Sequence, residues 1–483
     1  MANYINKTLN YLKRNGVKET YYAVMERLTP GGMADYSHYT YMAPSEEDLG
    51  LQRLAWKNEK NPVTFSLLVP AYETKPEYLT ALIDSCLAQT WESFELILAD
   101  ASKTDAVEKM IALYDDARIR YVRLAENEGI SGNTNAAIEE ATGMYVGLLD
   151  HDDLLTPDAL YEMAQVIQEK SPVLIYSDED KCDGTGNYYY EPHKKEEFNL
   201  DLFLTNNYIC HLMLLRREVI QELKLRPAYD GAQDYDLALR VVDKILKDDL
   251  IPEDLIVHVP EILYHWRCHS MSTAENPQSK LYAYEAGRRA LEDFLERRGI
   301  RATVKNTTHL GFYEVDYRED FWYKRPDVGV IGGKILGHNN KITSGILSEE
   351  GDPLYVGIDA HFGGYLHRAA LAQDAWAVDV RCMKVRLECK ELFEQFFSCE
   401  VPQSACSRDY FSTESFWEQL SMVRELTDDK TEAQSEDIQA EDNVQDETNI
   451  GERIYQRISL EFCRQVREKG YRIYWDPKWV VRI

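Results

Sequence analysis

Residues 150–153 read Asp-His-Asp-Asp and follow directly on a short apolar run, residues 146–149. Three carboxylates on one turn repel each other unless something neutralises them. A divalent cation does so, because hard oxygen donors at close spacing hold Mg2+ or Mn2+. Solvated loop acids and helix caps are the alternative, and Asp153 and Asp158 fit that description. For Asp150 and Asp152 the metal reading fits better, because polar and acidic residues end other apolar runs as well. Tyr72 and Glu73 follow "SLLVPA", Asp100 follows "ELILA", and residues 178–180 follow "LIYS". Downstream, "QDYDLALRV" places Asp234 and Asp236 at the start of a helical pattern, where either could cap the helix and Asp234 could serve as a proton acceptor. His265 stands between Tyr264 and Trp266, so a core histidine and a ligand are both open readings.

These residues need elements that bring them together. From residue 63 the chain alternates strand-like runs with helical ones, among them "VTFSLLVPAY", "PEYLTALIDSCLAQTW", "FELILADAS", "AVEKMIALYDD", "RIRYVRLA" and "SGNTNAAIEEAT". Gly143 reads as the cap that ends the last of these helices. Such alternation predicts right-handed crossovers and an open, doubly wound, mostly parallel sheet with both faces covered. Ligands of such sheets bind beyond the carboxyl ends of the strands, which is where the acids fall. The first strand leads into "PAYETKPEYL" rather than GxGxxG or GxxxxGK[ST], which argues against a dinucleotide-binding dehydrogenase and a P-loop NTPase. The Gly-rich basic loop of a sugar nucleotidyltransferase is missing from the same place.

The chain has 483 residues, too many for a single core, and 44% hydrophobic residues, enough for large ones. A net charge of −29 argues against a general nucleic-acid binder, which needs a field of the opposite sign. Nine scattered Cys without a CxxC pair suit reduced thiols in the cytoplasm. No stretch approaches the ~20 apolar residues of a membrane span. The first residues, "MANYINKTLNYLKRNG", lack a signal-peptide core. Ile5, Leu9 and Leu12 fall at helical spacing among Lys7, Lys13 and Arg14. The first reading is a helix packed on the main domain; the second is peripheral contact with the inner face of a membrane.

Residues 65–270 resemble an inverting family-2 glycosyltransferase of the GT-A fold, with "SLLVPAYE", "ELILADAS", "NEGISGNTNAAIEEATGMYVGLLDHDD", "YSDEDK", "YDGAQDYDLALRV" and "ILYHWRCHSMSTA" in family order and spacing. The nearest relatives suggested are those that build rhamnose-rich or similar bacterial surface polysaccharides. The resemblance implies a UDP- or dTDP-sugar donor, a glycan or lipid-linked acceptor, and Mg2+ or Mn2+. It places Pro70, Ala71, Tyr72 and Glu73 around the base and Asp100 at its uracil or ribose end. Asp150 and Asp152 match the DxD element, Asp150 near the ribose and Asp152 on the metal. Asp234 matches the catalytic base, with Gln233 where many relatives carry Glu. His265 matches a family His that completes the metal shell or touches the diphosphate, and Arg267 is close enough in sequence to assist the phosphates.

The expected organisation is an N-terminal helical extension (1–60), a GT-A domain (61–312) and a degenerate, partial GT-A-like α/β unit (313–483). In that last unit "GVIGGKIL" and "LEFCRQVREKGYRIYWDPKW" resemble pieces of a family-2 domain, and Glu461 is the one acid near the base position. Residues 425–452 hold eleven acids and one Lys, which reads as a disordered insertion. Two rivals to a glycosyltransferase stand: a non-catalytic glycan-binding or scaffold protein, suggested by the degenerate half, and a sugar nucleotidyltransferase.

Overall fold

Strand β1 (Phe65–Ala71) is buried at every position but Pro70. A strand buried on both faces must be central and covered by helices. The structure is a computed structural model that describes residues 2–29, 38–246, 254–269, 281–317, 320–420 and 447–483. By internal contacts the chain forms two units: Tyr36–Phe198 with Asn206–Asp316, and Met1–Asp35 with Asn199–Thr205 and Tyr317–Ile483.

The first unit holds a nine-stranded sheet. After β1 come β2 (Phe94–Asp100), β3 (Ile119–Arg123), β4 (Tyr145–Leu148), β5 (Leu154–Leu155), β6 (Leu174–Cys182), β7 (Tyr189–His193), β8 (Met213–Arg216) and β9 (Ile256–Arg267). Their order is β3-β2-β1-β4-β8-β6-β9-β5, with β7 on the side of β6. Strands β3, β2, β1 and β4 are parallel neighbours, β8 is inserted antiparallel between β4 and β6, and β9 is parallel to β6. The sheet is therefore mostly parallel in direction, as the alternation of strands and helices predicts. Helix Pro76–Leu87 buries Leu79, Leu82, Ile83 and Cys86, the apolar face visible in its spacing, in the core that also holds Leu67, Val69 and Leu98.

Two glycines show how closely this sheet is covered. A Cβ on Gly147 in β4 would meet Leu214 Cδ2 of β8 at 2.6 Å. Gly143 does not cap the helix Gly129–Glu140, whose C-cap is Ala141. A Cβ at Gly143 would instead lie 2.6 Å from the β1 backbone, and its N–H donates to Ser66 Oγ at 2.8 Å. Close backbone approach, rather than a left-handed cap, is what requires glycine there.

The second unit is also α/β, but its sheet is mixed. Val328–Leu336, buried throughout, pairs in parallel with Arg472–Arg482 and antiparallel with Met383–Arg386. Helix Glu447–Glu468 lays Phe462, Cys463 and Val466 into a core with Phe393, Phe397 and Phe411. Residues 447–452 of the predicted acidic insertion open this helix, and residues 425–446 lie outside the described ones. Glu461 pairs on the surface with Arg464 at 2.7 Å. The N-terminal helix, Ala2–Leu28, is not an extension of the main domain. It falls in the second unit, where Glu26 is buried and accepts the N–H groups of Gly363 and Gly364 at 2.8 and 2.9 Å.

Candidate functional site

Strand β1 is flanked by β2 on one side and β4 on the other, so the order of parallel strands reverses at β1, which is where such sheets bind ligands. A cavity of about 450 Å3 opens there, lined among others by Pro70, Asp150, His211, Asp230, Gln233 and Asp234. Three different elements supply its acids: the turn after β4, the loop before helix Gln233–Ile245, and that helix's first turn.

The two acids of "QDYD" separate cleanly. Asp236 is buried and takes Arg226 Nε at 3.1 Å and Arg240 Nε at 3.0 Å, so it fixes the helix. Asp234 lines the cavity, and its Oδ2 accepts from Asn207 Nδ2 at 2.7 Å. Neither caps the helix, whose N-cap is Ala232. Burial raises the Asp234 carboxyl above the ordinary carboxylate range, and the charge of Asp150 adds to this while His211 opposes it. A carboxylate raised in this way is a better proton acceptor near neutral pH.

Asp153 is not a solvated loop acid. It is buried, accepting Tyr264 Oη–H at 2.5 Å and the Arg267 N–H at 2.7 Å. Burial, with Asp152 and Asp150 beside it, pushes its carboxyl well up. Asp150 is exposed to the cavity. Asp152 meets an imidazole, but it is His269 (Nε2 to Oδ2, 2.8 Å) rather than His265. Arg267 is buried; its Nε donates to the Asp152 carbonyl at 2.5 Å, its guanidinium lies 5.0 Å from the Tyr78 ring, and Nη2 is buried without a partner.

Residues 178–180 do not lie beyond a strand end, because β6 continues through them to Cys182. Each is buried against histidine. Asp178 pairs with His258, Asp180 with His265, and Glu179 with His193 and His211. His265 therefore spends Nδ1 on Asp180 Oδ1 at 2.5 Å, and the rings of Tyr41 and Tyr189 pack on it at 4.6 and 4.2 Å. Tyr39 Oη closes the same cluster on Asp180 Oδ2 at 2.7 Å.

Among the described residues, two groups can bring three metal-ligand atoms within 4.8 Å of each other, and His265 belongs to neither. Both contain His211: one with Asp150 and Asp153, the other with Glu179 and Cys210. His211 Nδ1 sits 2.8 Å from Glu179 Oε2, and its ring stacks on Tyr264 at 4.7 Å. A carboxylate holding one ring nitrogen is how proteins orient a metal-binding histidine. Burial lowers the His211 pKa, but Cys210 and Glu179 outweigh it and the ring stays well above its ordinary value. Asp153 is committed to Tyr264 and Arg267, which leaves Asp150 and His211 as the available donors. An oxygen and an imidazole nitrogen suit Mn2+ better than Mg2+.

The remaining expected residues sit at the ends of β1 and β2. Ala71 is fully buried and Tyr72 is exposed. Glu73 Oε1 accepts the Lys103 N–H, and the Glu73 N–H donates to Ser102 Oγ, both at 2.8 Å. Asp100 is fully buried and accepts from Ser102 N–H, Tyr121 Oη and Arg123 Nη1 at 2.8–2.9 Å. The structure thus brings Pro70, Asp150 and Asp234 into one cavity and keeps Tyr72, Glu73 and Asp100 together at the strand ends. His265 lies in a separate cluster. Asn207 and His211 lie in "NNYICHLMLLRREVI", a segment where the family resemblance implies acceptor-facing residues without singling out any of them.

Residues 66–224 match the model of Glycosyl transferase family 2. An uncharacterized protein, y4gI, of Sinorhizobium fredii is 39% identical over 252 residues, 51% of this chain and 27% of the relative. The O-antigen biosynthesis protein RfbC of Myxococcus xanthus is 28% identical over 293 residues, 60% of this chain and 22% of its own length. This chain thus spans about a quarter of those two relatives. The UDP-Glc:alpha-D-GlcNAc-diphosphoundecaprenol beta-1,3-glucosyltransferase WfaP of Escherichia coli is 26% identical over 191 residues, 38% of this chain and 71% of WfaP. Among solved structures, S. aureus TarS 1-349 in complex with UDP aligns with a TM-score of 0.35 at 18% identity, over 49% of this chain and 72% of that one.

Proposed function

We propose, from the premise that the chain carries a family 2 glycosyl transferase domain, that it moves a sugar from a nucleotide-diphosphate donor to a glycan or lipid-linked glycan, with inversion, in surface-polysaccharide synthesis. The observation that carries this reading is Asp234: a carboxyl raised by burial, held by Asn207, and facing the same cavity as Asp150 at the switch point of the sheet. The relatives named for O-antigen biosynthesis and for transfer to a diphosphoundecaprenol-linked sugar support the acceptor class. The site of action is the cytoplasm, at the inner face of the membrane where a lipid-linked acceptor would be met.

Asp234 takes the proton of the acceptor hydroxyl as that oxygen attacks the anomeric carbon. The bond to the diphosphate breaks on the opposite face, its electron pair leaves with the diphosphate oxygen, and the anomeric centre inverts. Pro70, Ala71, Tyr72, Glu73 and Asp100 line the base end of the donor, and Asp150, on the cavity wall, lies near the ribose. Arg267, with its unpartnered Nη2, offers a donor to the phosphates. Asp150 and His211, with Asp152 on the same turn, would hold Mn2+ or Mg2+, whose charge stabilises the leaving diphosphate.

The test is incubation with UDP- and dTDP-sugars and a lipid-linked or glycan acceptor, reading nucleoside diphosphate release and the anomeric configuration of the product by NMR. Release of pyrophosphate would indicate a nucleotidyltransferase. Donor binding without turnover under any metal would favour the scaffold reading.

A further inference from the structure

We propose that the helical stretch from Val17 to Leu28 is a docking surface for an anionic lipid membrane. The Ala2–Leu28 helix breaks at Gly16, whose φ is +79°. Beyond the break, Val17, Tyr21, Val24 and Leu28 recur at intervals of four, three and four, which puts them on one helical stripe. They are 77%, 59%, 39% and 72% exposed.

The opposite side of the helix is the anchored one. The Tyr22 ring stacks on His361 at 4.0 Å with a 6° interplanar angle, and Glu26 is buried on the amides of Gly363 and Gly364. A surface helix ordinarily buries its apolar stripe and turns its charges to water. This one leaves its apolar stripe in solvent and buries Glu26 instead, so the stripe faces away from the side that anchors the helix.

Charge decides what the stripe meets. Exposed Lys18 and Arg27 flank it on either side. Residues 1–28 contain five Lys and Arg against two Glu, one of them the buried Glu26, in a chain of net charge −29. An anionic bilayer satisfies both features, taking the apolar side chains at the acyl boundary and the cations among its headgroups. No helix among the described residues is long and apolar enough to cross a membrane, so the contact is peripheral. The surface deepens the proposed function, because it would bring the chain to lipid-linked acceptors, but its test involves no transfer reaction and can fail separately from it.

The experiment is sedimentation of the full chain with phosphatidylglycerol-containing vesicles and with pure phosphatidylcholine vesicles, at low and raised salt. Binding is expected to the anionic vesicles only and to weaken with salt. Val17→Glu with Leu28→Glu, and separately Lys18→Glu with Arg27→Glu, should each lower vesicle affinity about tenfold or more. Unchanged circular dichroism establishes that these variants fold. Equal sedimentation of variants and parent, or no binding by the parent, overturns the proposal. So does light scattering that shows a parent dimer converted to monomer by the same substitutions, which would assign the stripe to a second copy.

Discussion

Asp234 and its neighbours carry the sharpest residue-scale predictions. Asp234→Asn removes a proton acceptor with little change in volume, so turnover should fall at least ~100-fold while donor affinity holds. Loss of donor binding in calorimetry would make Asp234 a structural or metal-binding group instead. Because burial raises its pKa, activity should fall on the acid side at a higher pH than an ordinary carboxylate would give, since the basic form is lost as pH drops through the raised value. Asn207 donates to the charged carboxylate, so it favours that form. Asn207→Ala should therefore move the acid limb of the kcat profile to still higher pH, with kcat down about tenfold at neutral pH. A uniform loss of rate with no shift of the limb would leave Asn207 a packing residue only. His211 and His265 are set against each other by metal binding. His211→Gln should weaken Mn2+ binding about 10- to 100-fold, whereas His265→Gln should change it little. The metal must displace a proton that Cys210 and Glu179 hold on His211, so Mn2+ affinity of the parent should rise with pH. Calorimetric titration with Mn2+ at several pH values measures both effects.

At the scale of elements, what was legible in the sequence was what is local. The runs that became β1, β2 and β4 are apolar because both faces are covered, and the helix Pro76–Leu87 shows its buried face directly in its spacing. The strand ends at which Tyr72, Asp100 and Asp150 stand were read from the alternation of strands and helices, whereas the roles given to Pro70 and Asp234 came from the family resemblance. What failed was non-local. His211 reaches the site only because β8 runs antiparallel between β4 and β6, a pairing that no periodicity announces. The family resemblance put His265 on the metal, but the register Asp180↔His265, which nothing local shows, gives the imidazole a carboxylate partner inside the sheet. Asp153 looked like a cap because nothing local shows that Tyr264 and Arg267 close over it. The short segment Asn199–Thr205 is a similar case. It belongs to the second unit, where Asp201 is gripped by Arg325 Nη1 at 2.5 Å and Nη2 at 2.9 Å, while Arg325 also holds Asp327. Burial would raise Asp201, but Arg325 outweighs it and the carboxyl lies below the usual range. Its contribution to stability is present above the ordinary carboxylate pKa and is lost as pH falls through the depressed value. Arg325→Met leaves two acids buried without their cation and should cost about 3–5 kcal/mol at neutral pH by urea unfolding. A cost under ~1 kcal/mol would mean the segment is held by its apolar side chains alone.

The molecule as a whole pairs two α/β units of unequal chemical equipment. In the first, parallel strands end together, and the turn after β4 brings Asp150 to the cavity at that edge. In the second, the central strand Val328–Leu336 has one parallel partner and two antiparallel ones, Met383–Arg386 and Ile342–Ser344, so the carboxyl ends of its strands do not converge on one edge. Its acid nearest the expected base position, Glu461, is tied to Arg464 on the surface of a helix. Its buried Lys334, pushed down to about 8 by burial against the pull of Asp476 and Asp359, sits 5.9 Å from the Trp475 ring and 3.5 Å from a backbone carbonyl. Nucleotide sites of doubly wound sheets are built from converging strand ends, and among the described residues the first unit has them. The full chain should therefore bind one nucleoside diphosphate, not two, when titrated calorimetrically in the presence of Mn2+. Asp150→Ala should abolish that single isotherm, because it removes the one carboxylate that faces the cavity from the turn after β4. A stoichiometry of two, or a full-affinity site surviving in Asp150→Ala, would mean that the second unit has a nucleotide site of its own and is not a decayed copy.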